Sequence, residues 1–578
     1  MTPEVHLRKG DELISLVTST RPARPGSRRL RSVAEDKGDR IGVFICRCGG
    51  AVSRTVDVDS VAAHAASLNS VAFVKVMEFP CSAGGRAEIL EDIREKNLGR
   101  FVVAGCSPRT HEKIFRALAA KAGLNQSMFE IANIREQCAF VHVPSEATAK
   151  AKVLIESTAS KCNLLLPAPY EQIPLSSRKA LVVGSGLSAV VAASHVSDQG
   201  FGVILVDPRG TSNEGEANSI KAGESVELFD KTLQRLKSNP LVRMLSGSKV
   251  IEFEGHPGDF RALIQTPDGE EDIRCGAAIL AFDASPTHAA EDRDRREITQ
   301  AEFGSLLGSR VVKMENIVMI VSDNSSEETV GRGNYVDAVA SSLRLKELLP
   351  SADVTIIGSE ARMYGLHELD HIRAQERGVR FIRPKGEVDI KHEGGLRVLV
   401  TDASSDAALS LPADLVVRSD VLRFEDAKKV ASVFKIPINA RGFFVESEVR
   451  LEPGSTLNRG VFLCGSAAGP RLVSEELLGA STAASQAVSL LASPFIEAGG
   501  TVAEVDPEKC SVCLNCIRIC PYTAPFINEE SKAEIDIQTC QGCGICVGIC
   551  PSKAIQMYGY TDAQLFSQAS ASLRGGGT

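Results

Sequence analysis

The sequence contains no tryptophan, and aromatic residues make up only 5% of its 578 positions. Proteins that bind single-stranded nucleic acid or carbohydrate rely on aromatic platforms, so this composition argues against both classes. The formal net charge of -8 is small for the length and gives no basis for nucleic-acid binding. No apolar run reaches the roughly 18 residues of a membrane-spanning helix, so we expect no direct insertion into a membrane.

Cysteine, in contrast, is abundant, with 16 residues, and the sequence shows no secretory apolar run. This combination predicts a reducing, cytoplasmic compartment in which cysteines ligate metal instead of forming disulfides. The length predicts about three or four domains, each able to bury its own core.

The first 39 residues carry arginines among proline and glycine without hydrophobic periodicity, which predicts a flexible basic arm that orders on a partner. A twin-arginine export signal is excluded because Arg28 and Arg29 lead into polar sequence. An organellar transit peptide is the alternative, but acidic residues fit it poorly: Glu4, Asp11 and Glu12.

Two copies of Cys-x-x-Cys-x-x-Cys-x-x-x-Cys-Pro lie near the C-terminus. This spacing is typical of paired [4Fe-4S] clusters, in which the fourth cysteine of each run ligates the other cluster. Two structural zinc knuckles are the alternative, but zinc would not require this spacing with a proline closing each run. We therefore assign one cluster to Cys510, Cys513, Cys516 and Cys550, and the other to Cys540, Cys543, Cys546 and Cys520.

A second group of cysteines lies within residues 40–167, where strands alternate with helical patterns and predict a small α/β domain. Loops at the carboxyl ends of such strands meet at one edge of the sheet. Cysteines in these loops can therefore hold a third cubane, with one to spare. Reduced core cysteine is the alternative for any one of them. The five candidates are Cys46, Cys48, Cys81, Cys106 and Cys138.

Residues 180–193 form the pattern strand, glycine turn, helix that is typical of dinucleotide-binding Rossmann folds. The first glycine permits the tight turn, the second lets a pyrophosphate approach the backbone, and the alanine allows close helix packing. An aspartate at the end of the next strand is positioned to hydrogen-bond a ribose. The four candidate FAD-binding residues are Gly184, Gly186, Ala189 and Asp207.

Several N-terminal motifs resemble those of the HdrA family, the A subunits of heterodisulfide reductase. The similarity extends at lower fidelity over about residues 40–567 and includes both C-terminal cluster motifs. The resemblance implies a thioredoxin-reductase-like flavin domain in the middle of the chain, where flavin would split or merge electron pairs. The motifs that carry it are Cys46-x-Cys48-Gly49, Cys106-Ser-Pro-Arg-Thr-His-Glu112, Asn133-Ile-Arg-Glu-Gln-Cys138-Ala-Phe-Val-His142 and, at the tail, Tyr558-Gly-Tyr-Thr-Asp-Ala-Gln564.

The middle of the chain departs from the family's pattern. The Gly-Gly pair that the family carries after the second strand is missing from 210–219. The family's Ala-Thr-Gly turn reads Ala281-Phe282-Asp283, so we expect the ring of Phe282 and the carboxylate of Asp283 to obstruct the cofactor path. The ferredoxin module that many members insert is absent, and 257–283 is predicted to form one hairpin and strand. A nicotinamide site is not expected, because 354–360 has a single glycine. These departures predict a degenerate flavin domain in which FAD binding is doubtful.

The sequence thus predicts an iron–sulfur electron-transfer subunit of a heterodisulfide-reductase-like complex, with its own flavin catalysis left open. One alternative is an FAD-containing bifurcating or confurcating subunit; another is a structural partner of a complete HdrA-like chain, as hetero- or homodimer.

Cys162, Cys275 and Cys464 are interpreted as core residues. The predicted domains are the arm over 1–39, a cluster domain over 40–167, a Rossmann-like domain over 168–498, a 2[4Fe-4S] ferredoxin domain over 499–560 and a tail over 561–578.

Overall fold

The computed structural model describes residues 40–210, 224–283, 285–287, 296–308, 314–321, 332–358, 363, 365–392, 394–419, 421–424 and 426–575. The predicted arm at 1–39 and residues 211–219 therefore lie outside the described residues. The chain divides into two compact units, one of 1–106, 113–171 and 570–578, the other of 107–112 and 172–569. Within the described ranges, no helix combines the length and the apolar character that crossing a bilayer requires.

A four-stranded parallel sheet organises the N-terminal part of the chain, with strand order β2-β1-β3-β4. Its order reverses between β1 and β3, which creates a topological switch point at the carboxyl ends of these strands. The elements are β1 (Ile41–Cys46), α1 (Val58–Ala66), β2 (Val71–Met77), α2 (Ala83–Glu95), β3 (Arg100–Gly105), α3 (Pro108–Lys121), β4 (Phe129–Asn133) and α4 (Pro144–Cys162).

Alternation along β1 gives the sheet two buried faces. Ile41, Val43 and Ile45 pack in one apolar cluster with residues of α1 and α4. Phe44 points the other way, into a cluster with residues of α2 and α3. Burial on both faces is why β1 consists almost entirely of apolar residues, and it leaves the strand ends as the place where polar or metal-binding groups can meet.

The glycine turn lies in a five-stranded parallel sheet of order β23-β12-β6-β7-β8. An antiparallel meander of β9 to β11 leads into β12. The elements are β5 (Tyr170–Pro174), β6 (Lys179–Val183), α5 (Leu187–Asp198), β7 (Gly202–Asp207), α6 (Glu224–Lys237), β8 (Val242–Ser246), β9 (Lys249–His256), β10 (Asp259–Thr266), β11 (Gly269–Cys275) and β12 (Ala277–Ala281).

A second parallel sheet, of order β14-β21-β15-β16-β17, follows in the chain. Its elements and those that return to the first sheet are β13 (Ser285–Thr287), β14 (Glu297–Thr299), α7 (Gln300–Gly308), β15 (Asn316–Ile320), α8 (Arg332–Leu348), β16 (Asp353–Ile357), α9 (His367–Glu376), β17 (Arg380–Ile382), β18 (Asp389–Lys391), β19 (Arg397–Thr401), β20 (Ala408–Pro412), β21 (Leu415–Arg418), β22 (Val421–Arg423), α10 (Ala427–Phe434), β23 (Val461–Cys464), α11 (Val473–Ala492) and β24 (Phe495–Gly499).

Near the C-terminus the chain forms two copies of a small strand–helix–strand unit. Residues 502–510 and 532–540 share the pattern x-Ala-Glu-(Val/Ile)-Asp-x-x-x-Cys. In the folded chain, β25 pairs antiparallel with β28, and β26 with β27. The elements are β25 (Ala503–Val505), α12 (Asn515–Ile519), β26 (Pro525–Ile527), β27 (Ala533–Ile535), α13 (Ile545–Ile549), β28 (Ile555–Met557) and α14 (Asp562–Gly575).

Candidate functional site

The first C-terminal cysteine loop lines a concavity of about 350 Å3. Three of its lining cysteines come from one motif and the fourth comes from the other motif. Apolar side chains of both repeats, such as Ile527 and Ile555, complete the wall. The four cysteines are Cys510, Cys513, Cys516 and Cys550.

A second concavity, of about 340 Å3, repeats this arrangement with the roles of the motifs exchanged. Tyr522 and Ile535 contribute to its wall. The four cysteines that line it are Cys540, Cys543, Cys546 and Cys520. The two sets are those that the crossed assignment requires, so the donor chemistry and its grouping fit two cubane clusters.

The backbone of each loop bends through left-handed residues. Leu514 (φ 63°) and Gly544 (φ 74°) occupy equivalent positions, directly before α12 and α13. Among the described residues, no three histidine, cysteine or acidic side chains converge on one point as a single metal ion would need. A cubane places each thiolate on a different iron, so its ligands need not meet at a point.

Hydrogen bonds around Cys550 favour its thiolate. Burial raises the pKa of Cys550, but hydrogen bonds from the Ser552 hydroxyl and from backbone N–H groups lower it by more than burial raises it. The pKa of Cys550 is therefore lowered overall. The Ala554 N–H donates to the Cys550 sulfur at 3.3 Å. In contrast, burial raises the pKa of Cys546 to about 12. A thiol of this kind becomes a thiolate only when a metal supplies the compensating charge.

The N-terminal cysteines lie at the switch point of the first sheet. Cys46 ends β1 and Cys106 follows β3, the two strands between which the order reverses. The sulfurs of Cys46 and Cys48 are 2.9 Å apart, and those of Cys48 and Cys106 are 3.9 Å apart. Cys48 (φ 50°) and Gly49 (φ 57°) adopt left-handed conformations that fold the loop back on itself. The spacing Cys46-x-Cys48 therefore brings the thiols together.

Electrostatics at this site oppose free thiolates. For Cys48, the hydrogen bond with Cys106 lowers the pKa, but the bond with Cys46 and burial outweigh it and raise the pKa to about 12. The pKa of Cys106 is also raised, first by the Cys48 hydrogen bond and then by burial. The positive charge of Arg135 acts in the other direction on the pKa of both thiols.

The other two N-terminal candidates lie after β2 and β4, and Cys138 belongs to the same apolar cluster as Cys48. Cys138 is fully buried and packs in the core with residues of α1 and α4, and burial raises its pKa to about 11. Cys81 is half-buried and packs against the core on the opposite face of the sheet. The structure thus brings together three of the five: Cys46, Cys48 and Cys106.

Cysteines interpreted as core residues lie inside the folded chain. Cys162 and Cys275 have no exposed surface, and Cys464 is 1% exposed. Burial raises the pKa of all three thiols.

The glycine turn joins β6 to α5, as the sequence predicts. Gly184 has φ 155°, and a Cβ there would collide with the carbonyl oxygen of Ala281. Ala189 is fully buried in the core where α5 packs against the small residues of α11. Asp207 ends β7 and is 3% exposed. The four predicted residues therefore occupy the positions of a Rossmann turn.

The carboxylate of Asp207 is already engaged by its own chain. The Ser185 hydroxyl donates to Oδ1, and the backbone N–H groups of Arg209 and Gly210 each donate to the same oxygen at 3.1 Å. The guanidinium of Arg209 donates to the Ser185 carbonyl at 3.2 Å. Through these bonds, Asp207 holds the backbone of the loop after β7 in place.

Asp283 occupies the space in front of the turn. Its Oδ2 fills the position that a Cβ on Gly186 would need, and its Oδ1 lies 2.8 Å from the position of a Cβ on Gly465. Oδ1 is shielded from solvent. Burial raises the pKa of Asp283 to about 6, although the charge of Arg209 and hydrogen bonds from the Ser188 hydroxyl and the Ser466 backbone lower it.

Phe282 takes a different direction from its neighbour. Its ring packs in the core 5.0 Å from Phe424 and 6.3 Å from Phe444, measured between ring centroids. The sequence assigned the obstruction of the cofactor path to both residues, and the contact with the glycine turn is made by Asp283.

The residues at this turn do not fit the pyrophosphate of FAD. The second glycine of a Rossmann turn is small so that a pyrophosphate can reach the helix N-terminus. Here a side-chain carboxylate takes that space, and a second anion there would meet electrostatic repulsion in a shielded setting.

In the second parallel sheet, β15 holds the position that β6 has in the first sheet, and residues 322–331, in the loop that follows it, lie outside the described residues. Gly358 follows β16, and the Tyr335 ring lies 3.1 Å from the position of a Cβ there. Burial raises the pKa of the Tyr335 hydroxyl to about 12. A buried ring therefore packs against the end of β16.

Sequence patterns did not single out two cations that lie near the cysteines. Lys532 donates from Nζ to the Cys510 carbonyl at 2.9 Å, and Arg135 lies beside Cys48 and Cys106. The internal repeat could have revealed Lys532, because the equivalent position is Val502. Arg135 lies within a quoted motif, but nothing in its spacing indicates a contact with residues so distant in the sequence.

Residues 503–551 match a protein family described as a 4Fe-4S dicluster domain. The match covers both C-terminal motifs and all eight cysteines that line the two concavities. A solved thioredoxin reductase from T. acidophilum is 15% identical and has a TM-score of 0.39; it covers 55% of this chain and 100% of its own.

Curated relatives extend over nearly the whole chain. The heterodisulfide reductase A-subunit-like protein of Archaeoglobus profundus is 28% identical over 92% of this chain and 97% of its own length. An iron-sulfur A-subunit of the CoB–CoM heterodisulfide reductase of Methanopyrus kandleri is 29% identical over 93% and 98%. The A-subunit of the H2:CoB-CoM heterodisulfide,ferredoxin reductase of Methanothermobacter marburgensis is 27% identical over 86% and 93%.

Proposed function

This chain is a homologue of the HdrA proteins of heterodisulfide reductase along most of its length, and we propose that it relays single electrons within a multi-subunit oxidoreductase complex of that kind. The observation that carries the proposal is the pair of concavities, each lined by three cysteines of one motif and the fourth of the other. When bound, each [4Fe-4S] cluster accepts and donates one electron. The proposed ligands are the two crossed sets of cysteines.

A third cluster belongs to the same proposal, at the switch point of the first sheet. Cys46, Cys48 and Cys106 supply three thiolates, and the fourth ligand is either Cys81 or Cys138. The adjacency of three sulfurs supports this site, since it supplies three of the four thiolates that a cubane needs. The Arg135 guanidinium favours thiolates on Cys48 and Cys106 and would partly neutralise the negative charge of a ligated cluster.

Flavin catalysis by this chain is not part of the proposal, because Asp283 fills the approach to Gly186. The FAD-containing alternative would use Gly184, Gly186, Ala189 and Asp207. The glycine turn and its helix, which retain Rossmann positions, favour that alternative. Flavin content decides between them.

The proposed partners are other subunits of a heterodisulfide-reductase-like complex, because the relatives are named as subunits of such enzymes. A second HdrA-like chain, identical or complete, is a further proposed partner. A largely structural role beside such a chain is the remaining alternative, and it requires that the cysteine sites carry no cluster. A cytoplasmic location stays a prediction from the cysteine content.

The test is metal and flavin analysis of the anaerobically purified full-length chain. We expect about twelve irons per chain, as three cubanes require, and electron paramagnetic resonance signals after reduction. Acid precipitation should abolish the broad visible absorbance and release no yellow flavin. One FAD per chain would restore the flavoprotein alternative, and a chain without iron or sulfide would support the structural one.

A further inference from the structure

The glycine turn before α5 is closed by a side chain of the same polypeptide. Gly186 has extended backbone (φ -176°), a conformation that any residue can adopt, so no backbone requirement explains a glycine at this position. The contact that excludes a larger residue is the Asp283 carboxylate. The glycine therefore makes room for an anion, and in this chain the anion is Asp283.

Two features partly offset the cost of burying a negative charge here. The twelve-residue helix α5 begins at Leu187, and its N-cap residue Gly186 has no side chain to satisfy the first N–H groups. The positive end of a helix attracts anions. Arg209 lies close enough for its charge to favour ionised Asp283, and its guanidinium is held over the turn by the Ser185 carbonyl.

Asp283 is also fixed on its far side. Its Oδ1 approaches Gly465, the left-handed residue (φ 82°) that follows β23, and the backbone N–H of Ala467 donates to the Phe282 carbonyl at 2.9 Å. The carboxylate thus lies between the glycine turn after β6 and the glycine turn after β23.

We propose that Asp283 is an internal substitute for the pyrophosphate of a dinucleotide, which occupies the helix N-terminus and closes the site to nucleotides. The proposal goes beyond electron relay by the clusters and does not depend on it. It assigns the site a ligand class, the diphosphate of an adenine nucleotide, which the chain binds only when the carboxylate is removed. Arg209 and the N-terminus of α5 would then face the diphosphate.

The experiment is calorimetric titration of ADP into full-length wild-type chain, Asp283→Gly and Asp283→Asn, with Asp272→Asn as the control. Asp272 is a carboxylate on the surface of the antiparallel sheet, paired with Arg261 at 2.7 Å. We expect Asp283→Gly to bind ADP at least roughly tenfold more tightly than the wild type. Asp283→Asn, which removes the charge and keeps the volume, should fall between them, and Asp272→Asn should match the wild type.

Equal ADP affinity of the wild type and a folded Asp283→Gly chain would overturn the proposal, as would one FAD per wild-type chain. If Asp283→Gly does not fold, Asp283→Ala serves in its place under the same criterion. Iron content and paramagnetic signals should be unchanged in the Asp283 variants. A failure of the cluster proposal would therefore appear in those signals, independently of the ADP result.

Discussion

The Nζ of Lys532 donates a hydrogen bond of 2.9 Å to the carbonyl oxygen of Cys510, a proposed ligand of the first C-terminal cluster. The equivalent residue in the other repeat is Val502, which is 2% exposed and apolar. Within the described part of the chain, Lys532 has no ion pair within 4.0 Å, whereas Lys509 is paired with Asp506 at 2.8 Å. The two clusters therefore lie in different electrostatic fields.

Replacing Lys532 by methionine should lower the reduction potential of the first cluster selectively. Reduction adds negative charge to a cluster, and a nearby cation stabilises the reduced form. The measurement is a redox titration of full-length chain followed by electron paramagnetic resonance. Lys429→Met, at a lysine that is 86% exposed on α10, is the control and should move neither potential. Equal shifts of both clusters in Lys532→Met would contradict the prediction.

Replacing Cys520 by serine should remove the cluster of the Cys540 loop and leave the cluster of the Cys510 loop. Cys520 lines the second concavity, although its motif lines the first. Iron content should fall by about four per chain if the whole cubane is lost. Cys550→Ser is the mirror variant and should remove the other signal. Loss of the Cys510-loop cluster from Cys520→Ser would show that the assignment is not crossed.

Cys106→Ser should abolish the N-terminal cluster, because its thiol is one of the three that the switch point brings together. The expected loss is about four irons, with both C-terminal signals retained. Cys162→Ser, at a cysteine of the same unit that hydrogen-bonds the Phe101 carbonyl, is the matched control. Either Cys81→Ser or Cys138→Ser should also lose about four irons, depending on which of the two cysteines is the fourth ligand. Wild-type iron content in Cys106→Ser would show that Cys106 is not a ligand, whereas a wild-type chain with only about eight irons would favour reduced core cysteines.

Gly186→Ala should destabilise the chain by roughly 1–3 kcal/mol, because its Cβ would overpack against Asp283. Combined with Asp283→Ala, the cost should fall, since the colliding group is then gone. Gly184→Ala is the control: its Cβ would meet the backbone of Ala281, so Asp283→Ala should not relieve it. Denaturant unfolding of the single and double variants measures both couplings. If Asp283→Ala reduced the destabilisation by Gly186→Ala and by Gly184→Ala equally, the contact between Gly186 and Asp283 would be refuted.

Stability should depend on pH through Asp283. Because burial raises its pKa from 3.8 to about 6, the folded chain binds the proton more tightly than the unfolded chain. Its contribution is present below pH 3.8 and is lost as the pH rises through about 6, a change of roughly 3 kcal/mol at most. Between pH 5 and 7, the wild type should lose stability relative to Asp283→Asn. A constant difference in unfolding free energy would contradict this.

Sequence periodicity and spacing predicted much of the architecture. The alternation of apolar strands with helices indicated the first sheet, and its cysteines do follow strands that end at one edge. The C-terminal motifs match a dicluster family over 503–551, as predicted. Such features depend on local spacing, which a sequence displays directly.

Contacts between distant segments could not be predicted in this way. Spacing alone could not decide whether the thiols of Cys46 and Cys48 converge, and a left-handed turn brings them together. The departure at 281–283 indicated an obstruction, but not that Asp283 faces the turn while Phe282 joins the core. Side-chain direction at the end of a strand depends on what the neighbouring strands leave open, here β6 and β23.

The placement of Asp283 in the loop after β12, outside the strands, has a genetic consequence. Aspartate and glycine codons differ by a single base, so a chain that carries this carboxylate is one point mutation from a chain that lacks it. The surrounding Rossmann sheet makes no use of the side chain for its own strand pairing. If Asp283 excludes nucleotides as proposed, a lineage with this fold can exchange a nucleotide-free state for a nucleotide-binding one in a single step and retain its sheet, helices and cysteine loops.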